Sequence, residues 1–342
     1  MRSVNQAGAS LAQPLDCPVC GGQVFDTWRE AFDDRYGHPG AFNLERCRSC
    51  GHLMTSPLLS ESDLPHLYGT YYPRKNLSPD TVARQAVGVA SVPSRWMRWI
   101  MGTDNQGQYG VRPGEKMLDV GCGSGLSLLE AQALGAQAWG IEADPNVQRI
   151  AGALGLRVHQ GSLHDAPFPG LSFDLIVMNQ VIEHIPQPDQ TLRLVRTRLA
   201  PGGRVVLVFP HVGSFWCRVS GARWINWHIP YHLHHFSRAA FARMAQRCGY
   251  QVTSSRTVTP NVWTLLQMRA WRQVPERGRP AALWATAAEA SGGAAAAAGW
   301  RRLSRRLLLV ALLPAIVVFN RILDGLGMGD SMVVELRPLE SP

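Results

Sequence analysis

Leu118-Asp119-Val120-Gly121-Cys122-Gly123-Ser124-Gly125 is the stretch on which the reading of the fold turns. Residues 116–121 form a short apolar run that stops at glycine, as a buried strand does. The glycines make a tight turn, and Leu126, Leu129 and Ala133 then recur at helical spacing. Strand, glycine turn and helix in that order make half of a βαβ unit. The same alternation continues outward. Residues 138–142 read as a second strand. Asp144 and Pro145 open a helix with Val147, Ile150, Ala151 and Leu154 on one face and Gly155 as its stop. Residues 173–178 and 204–209 are continuous apolar runs, the pattern of parallel strands covered on both faces. Leu192, Val195 and Leu199 mark a helix between them that ends at Pro201-Gly202-Gly203. Ser237 caps a further helix with Phe241, Met244, Ala245 and Cys248 inward and Gly249 at its end. The alternation predicts an α/β protein built on a doubly wound, Rossmann-like sheet.

Around that core the composition shifts divide the chain. Residues 1–16 form a tail and 17–55 a cysteine-bracketed module. Residues 56–111 are a connector rich in tyrosine and turn residues, with one or two short helices expected. The core spans 112–260, a helical and partly apolar insertion spans 261–329, and 330–342 hold a closing strand and tail. In 342 residues, 46% are hydrophobic and 17% charged, which excludes wholesale disorder. The net charge of +9 points to an anionic partner, either nucleic acid or a lipid surface. The first sixteen residues lack an apolar stretch of the secretory kind, so a cytoplasmic protein is expected.

In a doubly wound sheet, ligands bind beyond the carboxyl ends of the strands, where strand order reverses. The loop 121–125 is predicted to lie there, its glycines admitting a ligand close to the backbone and the next helix presenting free N–H groups. Glu142 ends the second strand and can accept from ribose hydroxyls. The dinucleotide fingerprint fits poorly, because Leu126 stands where its third glycine belongs. The series as a whole resembles class I S-adenosylmethionine-dependent methyltransferases. Residues 118–125 resemble their first motif and Gly140-Ile141-Glu142-Ala143-Asp144-Pro145 their second. Gly161-Ser162-Leu163-His164-Asp165, Phe173-Asp174-Leu175-Ile176, Val181-Ile182-Glu183-His184-Ile185 and Leu199-Ala200-Pro201-Gly202-Gly203 follow in order. The resemblance implies S-adenosylmethionine as cofactor. Asp119, Gly121 and Gly123 would surround its methionine part, Glu142 the ribose and Ala143 the adenine face. Ser162 and Leu163 would border the adenine edge, and Asn179 would lie near the sulfonium. Many relatives carry an acid where Ser162 stands.

Methyl transfer asks a protein to align an acceptor in line and to remove a proton where needed, so no fixed catalytic motif is required. The stretch Trp224-Ile225-Asn226-Trp227-His228-Ile229-Pro230-Tyr231-His232-Leu233-His234-His235-Phe236-Ser237 is predicted to lie in a loop on the ligand edge. It admits a general base with aromatic walls, a metal site, or histidines that merely pack beneath the next helix. It also resembles a His-Leu-x-His-Phe-Ser signature of one branch of these methyltransferases. His232 is the candidate catalytic or acceptor-contacting residue. His184 is the second, with bracing of the cofactor loop as its alternative role.

Cys17-Pro18-Val19-Cys20-Gly21 and Cys47-Arg48-Ser49-Cys50-Gly51 are two knuckles that can direct four thiolates at one tetrahedral ion. Thiolates favour zinc, and so short a module would draw folding energy from it. The arrangement resembles the N-terminal zinc domain of deoxysugar C-methyltransferases, whose long C-terminal domain has no counterpart in this sequence. A zinc module before a methyltransferase also resembles certain ribosomal RNA guanine methyltransferases. Between Cys17 and His52, however, four arginines face five acids, and phosphate-gripping modules are basic. The acceptor is therefore expected to be a small molecule, a sugar or a lipid-linked compound. Nucleic acid and a non-catalytic cofactor-binding role are the alternatives.

Arg301, Arg302, Arg305 and Arg306 precede an apolar run, 307–319, that Pro314 interrupts; it is too short to span a bilayer. Two readings stand: a helical hairpin buried over the acceptor site, or a segment 301–321 lying on anionic lipid at the inner face of the cytoplasmic membrane. Residues 331–337 then close the sheet, antiparallel if the family resemblance holds.

Overall fold

Parallel strands that are apolar on both faces have to be sandwiched between helices, and the computed structural model of the chain shows that arrangement. It describes residues 16–59, 63–72, 78–87, 91–284 and 299–339, with backbone alone at 64, 65, 92 and 299–311. The tail before Asp16, the Ala/Gly stretch within 285–298 and the side chains of the four clustered arginines lie outside this description.

The chain begins with β1 (Phe25–Phe32), β2 (Ala41–Cys47) and β3 (Leu53–Ser56). The connector folds as α1 (Leu64–Thr70), α2 (Pro79–Ala86), α3 (Val92–Met101) and α4 (Asn105–Tyr109), more helix than its turn-rich composition suggested. Asp104 and Ser78 cap two of these helices through their side chains, so polar residues that read as loop are helix starts. The core follows as β4 (Lys116–Val120), α5 (Leu126–Ala133), β5 (Gln137–Glu142), α6 (Asn146–Leu154), β6 (Arg157–Gln160), β7 (Phe173–Asn179), α7 (Pro188–Thr197) and β8 (Leu199–Pro210). After it come α8 (Phe215–Ser220), β9 (His234–His235), α9 (Arg238–Arg247), β10 (Tyr250–Val258), α10 (Asn261–Ala270), α11 (Gly299–Gly325) and β11 (Ser331–Pro338).

Seven strands form one sheet in the order β10-β11-β8-β7-β4-β5-β6. β11 runs antiparallel to β8 and β10, whereas the pairs from β8 through β6 are parallel. Strand order reverses between β4 and β7, which places the ligand crevice above their carboxyl ends. Both faces of the central strands are sealed: Leu118, Ile176 and Leu207 belong to one apolar cluster, Met117, Leu175 and Val206 to the other. Ser237 caps α9 as expected, its Oγ accepting from the Ala240 N–H at 3.2 Å.

Three expectations need correction. Leu199 belongs to β8, where it pairs with Phe173, and α7 stops at Thr197; the pairing outweighs its helical spacing. Strands β6 and β10 escaped the reading because they are short or polar, as sheet edges usually are. Pro314 lies inside α11 rather than between two helices, so the apolar run is one helix and not a hairpin. That helix packs on α3, α10 and β10. Asn320, wholly buried, donates to Asn261 and Thr264 of α10 at 2.9 Å each, tying the two helices together. No described helix is long and apolar enough to cross a membrane.

A second, antiparallel sheet has the order β1-β2-β3-β9. Its fourth strand comes from the histidine-rich stretch, with Leu53 opposite His235 and Met54 opposite His234. Phe42, Leu44 and Leu53 of the module pack with Trp216, Trp224, Trp227 and Ile229 of the core. The cysteine module is thus built into the main body.

Candidate active site

The glycine loop stands where strand order reverses. Gly121 has φ +78°, and a Cβ there would meet Val181 at 2.4 Å, so both the turn and the neighbouring strand end demand glycine. A Cβ on Gly123 would meet nothing within 4 Å, so this exposed backbone faces open space. Glu142 is already oriented: Oε2 accepts from the Gly123 N–H at 2.8 Å and Oε1 from the Asp144 N–H at 2.9 Å. Asp119 is buried, accepts from the Ser127 hydroxyl, and has Oδ1 unpartnered. Burial chiefly, with the Glu142 charge adding to it, pushes its carboxyl up to about 7 against the Ser127 hydrogen bond.

The remaining sequence candidates fall around the same crevice. Ala143 and Ser162 are exposed and Leu163 is buried beneath them. Ser162 caps a short turn and accepts from the His164 N–H, while Asp165 supplies a carboxylate to the Ser162 N–H at 2.7 Å. An acid is therefore present at this edge, three residues beyond the position where relatives carry one. Asn179, at the end of β7, donates to the Tyr109 hydroxyl at 2.7 Å. Tyr109 comes from α4 of the connector, and no sequence signal singled it out.

Beside this crevice lies a chamber of aromatic and imidazole rings. The structure brings His184 and His232 together, with ring centroids 4.6 Å apart and nearly perpendicular. Glu183 lies between them, its Oε1 4.0 Å from each Nε2. Tyr36 from the module, Tyr72 from the connector, and His228 and Tyr231 from the histidine-rich loop form the walls, in edge-on contacts of 5.3–5.7 Å about Tyr36. Tyr68 of α1 reaches His184 Nδ1 at 2.9 Å. Burial drives its hydroxyl pKa far up, and the Tyr72, Glu183 and Glu142 charges add to it. Glu183, Tyr36 and Tyr68 were missed; Glu183 stood in a quoted motif, but a carboxylate among apolar neighbours does not announce its partners.

Burial sets the electrostatics here. It lifts the Glu183 carboxyl up to about 8 and brings His184 down to about 4 against the Tyr231 carbonyl hydrogen bond. His232 and His228 are lowered well below the usual imidazole value by the same desolvation. The chamber thus holds neutral histidines at pH 7, able to accept a proton or to bind an electrophile. His234 and His235 serve a different purpose. His235 Nε2 donates to Thr55 Oγ1 at 3.1 Å, since that hydroxyl donates to the His232 carbonyl at 2.6 Å. His234 Nε2 donates to the Pro186 carbonyl. These two histidines join the module to the core.

The loop itself hangs on Asp330, at the start of β11. Its carboxylate accepts from Ser214 Oγ at 2.7 Å, Trp224 Nε1 at 2.9 Å and Asn226 Nδ2 at 3.1 Å. The Asn226 carbonyl in turn holds His232 Nδ1 at 2.9 Å. In the module, Cys17 and Cys50 sulfurs are 3.6 Å apart and those of Cys20 and Cys47 3.5 Å; all four lie within 4.8 Å of one another. A tetrahedral thiolate site with metal–sulfur bonds of about 2.3 Å needs sulfur separations of about 3.8 Å. The four cysteines, all free thiols, fit such a site.

A family profile described as a methyltransferase domain matches residues 97–255. Less than half of the chain is thus similar to a methyltransferase domain. Over 135 residues the chain is 36% identical to a ubiquinone biosynthesis O-methyltransferase of Xanthomonas campestris pv. campestris (strain B100). That match covers 36% of this chain and 56% of the relative, so the chain spans little more than half the relative's length. A ubiquinone biosynthesis O-methyltransferase of Cupriavidus pinatubonensis is 26% identical over 162 residues, 43% of this chain and 65% of its own. An S-adenosylmethionine-dependent methyltransferase from Mesorhizobium loti aligns over 73% of this chain and all of its own, with 15% identity and a TM-score of 0.44.

Proposed function

We propose that the protein transfers a methyl group from S-adenosylmethionine to a small-molecule, sugar or lipid-linked acceptor seated in the tyrosine–histidine chamber. The observation that carries this reading is an open glycine loop with a pre-oriented Glu142 in the same domain as buried imidazoles, of which His184 follows directly on the β7 end that flanks that loop. S-adenosylmethionine, when bound, supplies a methyl group already attached to a good leaving group. This chain's residues then bind and orient: Gly121 and Gly123 admit the methionine part, Asp119 faces it, and Glu142 holds the ribose. Ala143, Ser162, Leu163 and Asn179 line the rest of the cofactor. The aromatic walls exclude water, and His184 or His232 takes a proton from the acceptor. The curated relatives, named as O-methyltransferases, favour a small acceptor over nucleic acid. So does the acid-rich module that roofs the chamber, since phosphate binding asks for the opposite charge. Glu142→Ala is expected to weaken S-adenosylmethionine binding by roughly 1–3 kcal/mol, the worth of one or two hydrogen bonds to a carboxylate. Titration calorimetry checks it; equal affinities in mutant and wild type would remove the ribose assignment, and no binding at all the whole reading.

A lipid surface remains the second reading, and one observation favours it. Trp96, Met97 and Trp99 of α3 and Val318, Phe319 and Ile322 of α11 are exposed on two helices that touch. Arg95 is exposed on the same face region, and Arg301, Arg302, Arg305 and Arg306 lie just before the apolar run, whereas Arg321 is tied to Asp324. Each such charge contributes about 1 kcal/mol near an anionic headgroup layer. The alternative is a lid, in which the apolar run lies sealed over the acceptor rather than facing lipid. Flotation with anionic vesicles at low salt is expected to carry the protein upward, and glutamine at Arg301, Arg302, Arg305 and Arg306 to reduce that. Indifference of the wild type to vesicles eliminates this reading.

A further inference from the structure

Glu183 presents a physical problem that methyl transfer alone does not solve. Its side chain is 1% exposed, and neither carboxylate oxygen has a hydrogen-bond partner among the described residues. As a carboxylate in such a place it costs several kcal/mol, relieved either by taking up a proton, as its raised pKa allows, or by a compensating cation. No arginine or lysine forms an ion pair with it in the described structure; its near neighbours are two imidazole nitrogens, each 4.0 Å from Oε1.

The tautomers of those imidazoles follow from their other partners. His184 Nδ1 lies 2.9 Å from both the Tyr231 carbonyl and the Tyr68 hydroxyl, whose oxygen can serve as a second acceptor, and His232 Nδ1 lies 2.9 Å from the Asn226 carbonyl. A carbonyl only accepts, so each Nδ1 carries the proton and each Nε2 presents a lone pair. Both lone pairs belong to the nitrogens that converge on Glu183, and the three ligand atoms lie within 4.8 Å of one another. A histidine fixed by a backbone carbonyl on one nitrogen and presenting the other is the usual preparation of a metal ligand; His184 Nε2 meets that description, and His232 Nε2 meets it once its contact with His228 is released.

We infer that Glu183, His184 and His232 bind a divalent transition-metal ion in the acceptor chamber, separate from the four-cysteine site. Two imidazoles and one carboxylate suit zinc, iron(II) or manganese(II), and three protein donors leave coordination positions for an outside oxygen or nitrogen ligand. Ligand bonds of about 2.0–2.2 Å require the three atoms to draw in by several tenths of an ångström. This inference rests on the chamber being the acceptor site; with that reading, the ion would hold a heteroatom of the acceptor and lower its pKa, in place of proton uptake by His184 or His232, whose Nε2 lone pairs it would occupy. The competing arrangement is a direct hydrogen bond between His228 Nδ1 and His232 Nε2, 3.3 Å apart, which occupies one of the two lone pairs. Metal binding would displace it and transfer the His228 proton to Nε2, which has no partner in the structure.

The test is metal stoichiometry of the full-length chain loaded with zinc and freed of excess, measured by elemental analysis. Two zinc ions per wild-type chain are expected, and one in Glu183→Gln, which keeps the side-chain shape and so the packing. Cobalt substitution identifies the ion that remains: the sulfur-to-metal charge-transfer absorption of the four-cysteine site should persist undiminished in Glu183→Gln. Cys47→Ser should lose that absorption and retain the other equivalent. One zinc in the wild type, or two in Glu183→Gln, overturns the inference. S-adenosylmethionine titration of the same Glu183→Gln protein keeps the two readings apart. Undiminished cofactor binding with loss of one ion supports the metal site, whereas a second ion in a wild-type chain that binds no cofactor leaves the site standing and removes the methyltransferase reading.

Discussion

Cys47→Ser is expected to release the zinc that we assign to Cys17, Cys20, Cys47 and Cys50, and with it the order of the N-terminal sheet. Apparent binding energies of structural zinc in small modules are about 10–16 kcal/mol at neutral pH, far more than the module's own apolar contacts can replace. Phe42, Leu44 and Leu53 contribute to the interface with the core, yet three side chains of that size bury only about 5–9 kcal/mol worth of apolar surface. The consequence should reach the chamber. Tyr36 stands in the loop between β1 and β2, where Asp33 accepts from the N–H groups of Arg35, Tyr36 and His38 at 2.9–3.0 Å. With the sheet loosened, Tyr36 no longer walls the acceptor. Proteolysis should therefore cut within the first sixty residues, and the acceptor KM should rise while S-adenosylmethionine affinity stays near the wild-type value, because Gly123 and Glu142 belong to β4 and β5 ends that the module does not build. A Cys47→Ser protein that keeps its zinc and its protease resistance would refute the four-cysteine assignment.

Asp330→Ala should cost about 3–5 kcal/mol of folding stability, the penalty for removing the acceptor from a buried, fully engaged hydrogen-bond network. The residue is 1% exposed and answers three donors from two loops. Without it, the Trp224 indole N–H and the Asn226 amide remain buried and unpaired, each worth about 1–3 kcal/mol. Asp330→Asn keeps the shape and one oxygen, so a smaller loss is expected. Urea denaturation measures both. The alanine variant should also lose acceptor turnover beyond what its stability explains, since Asn226 sets the orientation of His232. A change below about 1 kcal/mol would mean that the three donors find other partners and that the loop does not depend on this carboxylate.

Legibility differed between these two sites for a definite reason. The four cysteines lie in two contiguous knuckles, and each knuckle's geometry is local: the Cys20 and Gly21 N–H groups turn back onto the Cys17 carbonyl, and the Gly51 N–H onto that of Cys47. The glycine loop is local in the same sense, with Gly121, Gly123 and Gly125 all at positive φ within five residues. Where neighbouring residues alone impose the backbone, the residue types announce it. The Asp330 network and the Glu183 cluster join residues roughly 50 to 116 positions apart, and none carries a mark of its partner.

By itself, the order of residues determined the βαβ frame, the place of the glycine loop, the acid at its second strand and the paired thiolates, because periodicity and turn chemistry act over a few residues. It also established that histidines cluster before Ser237, without saying which does what. Only the tertiary structure decided that division. Ladder pairing holds His234 and His235 against β3, whereas His232 lies outside that strand and is held by the Asn226 carbonyl beside His184 and Glu183. The strand pairing of His234 and His235, the Asn226 carbonyl on His232 and the reach of Tyr68 to His184 settled it, since most of these partners are distant in sequence and a histidine's own identity names none of them.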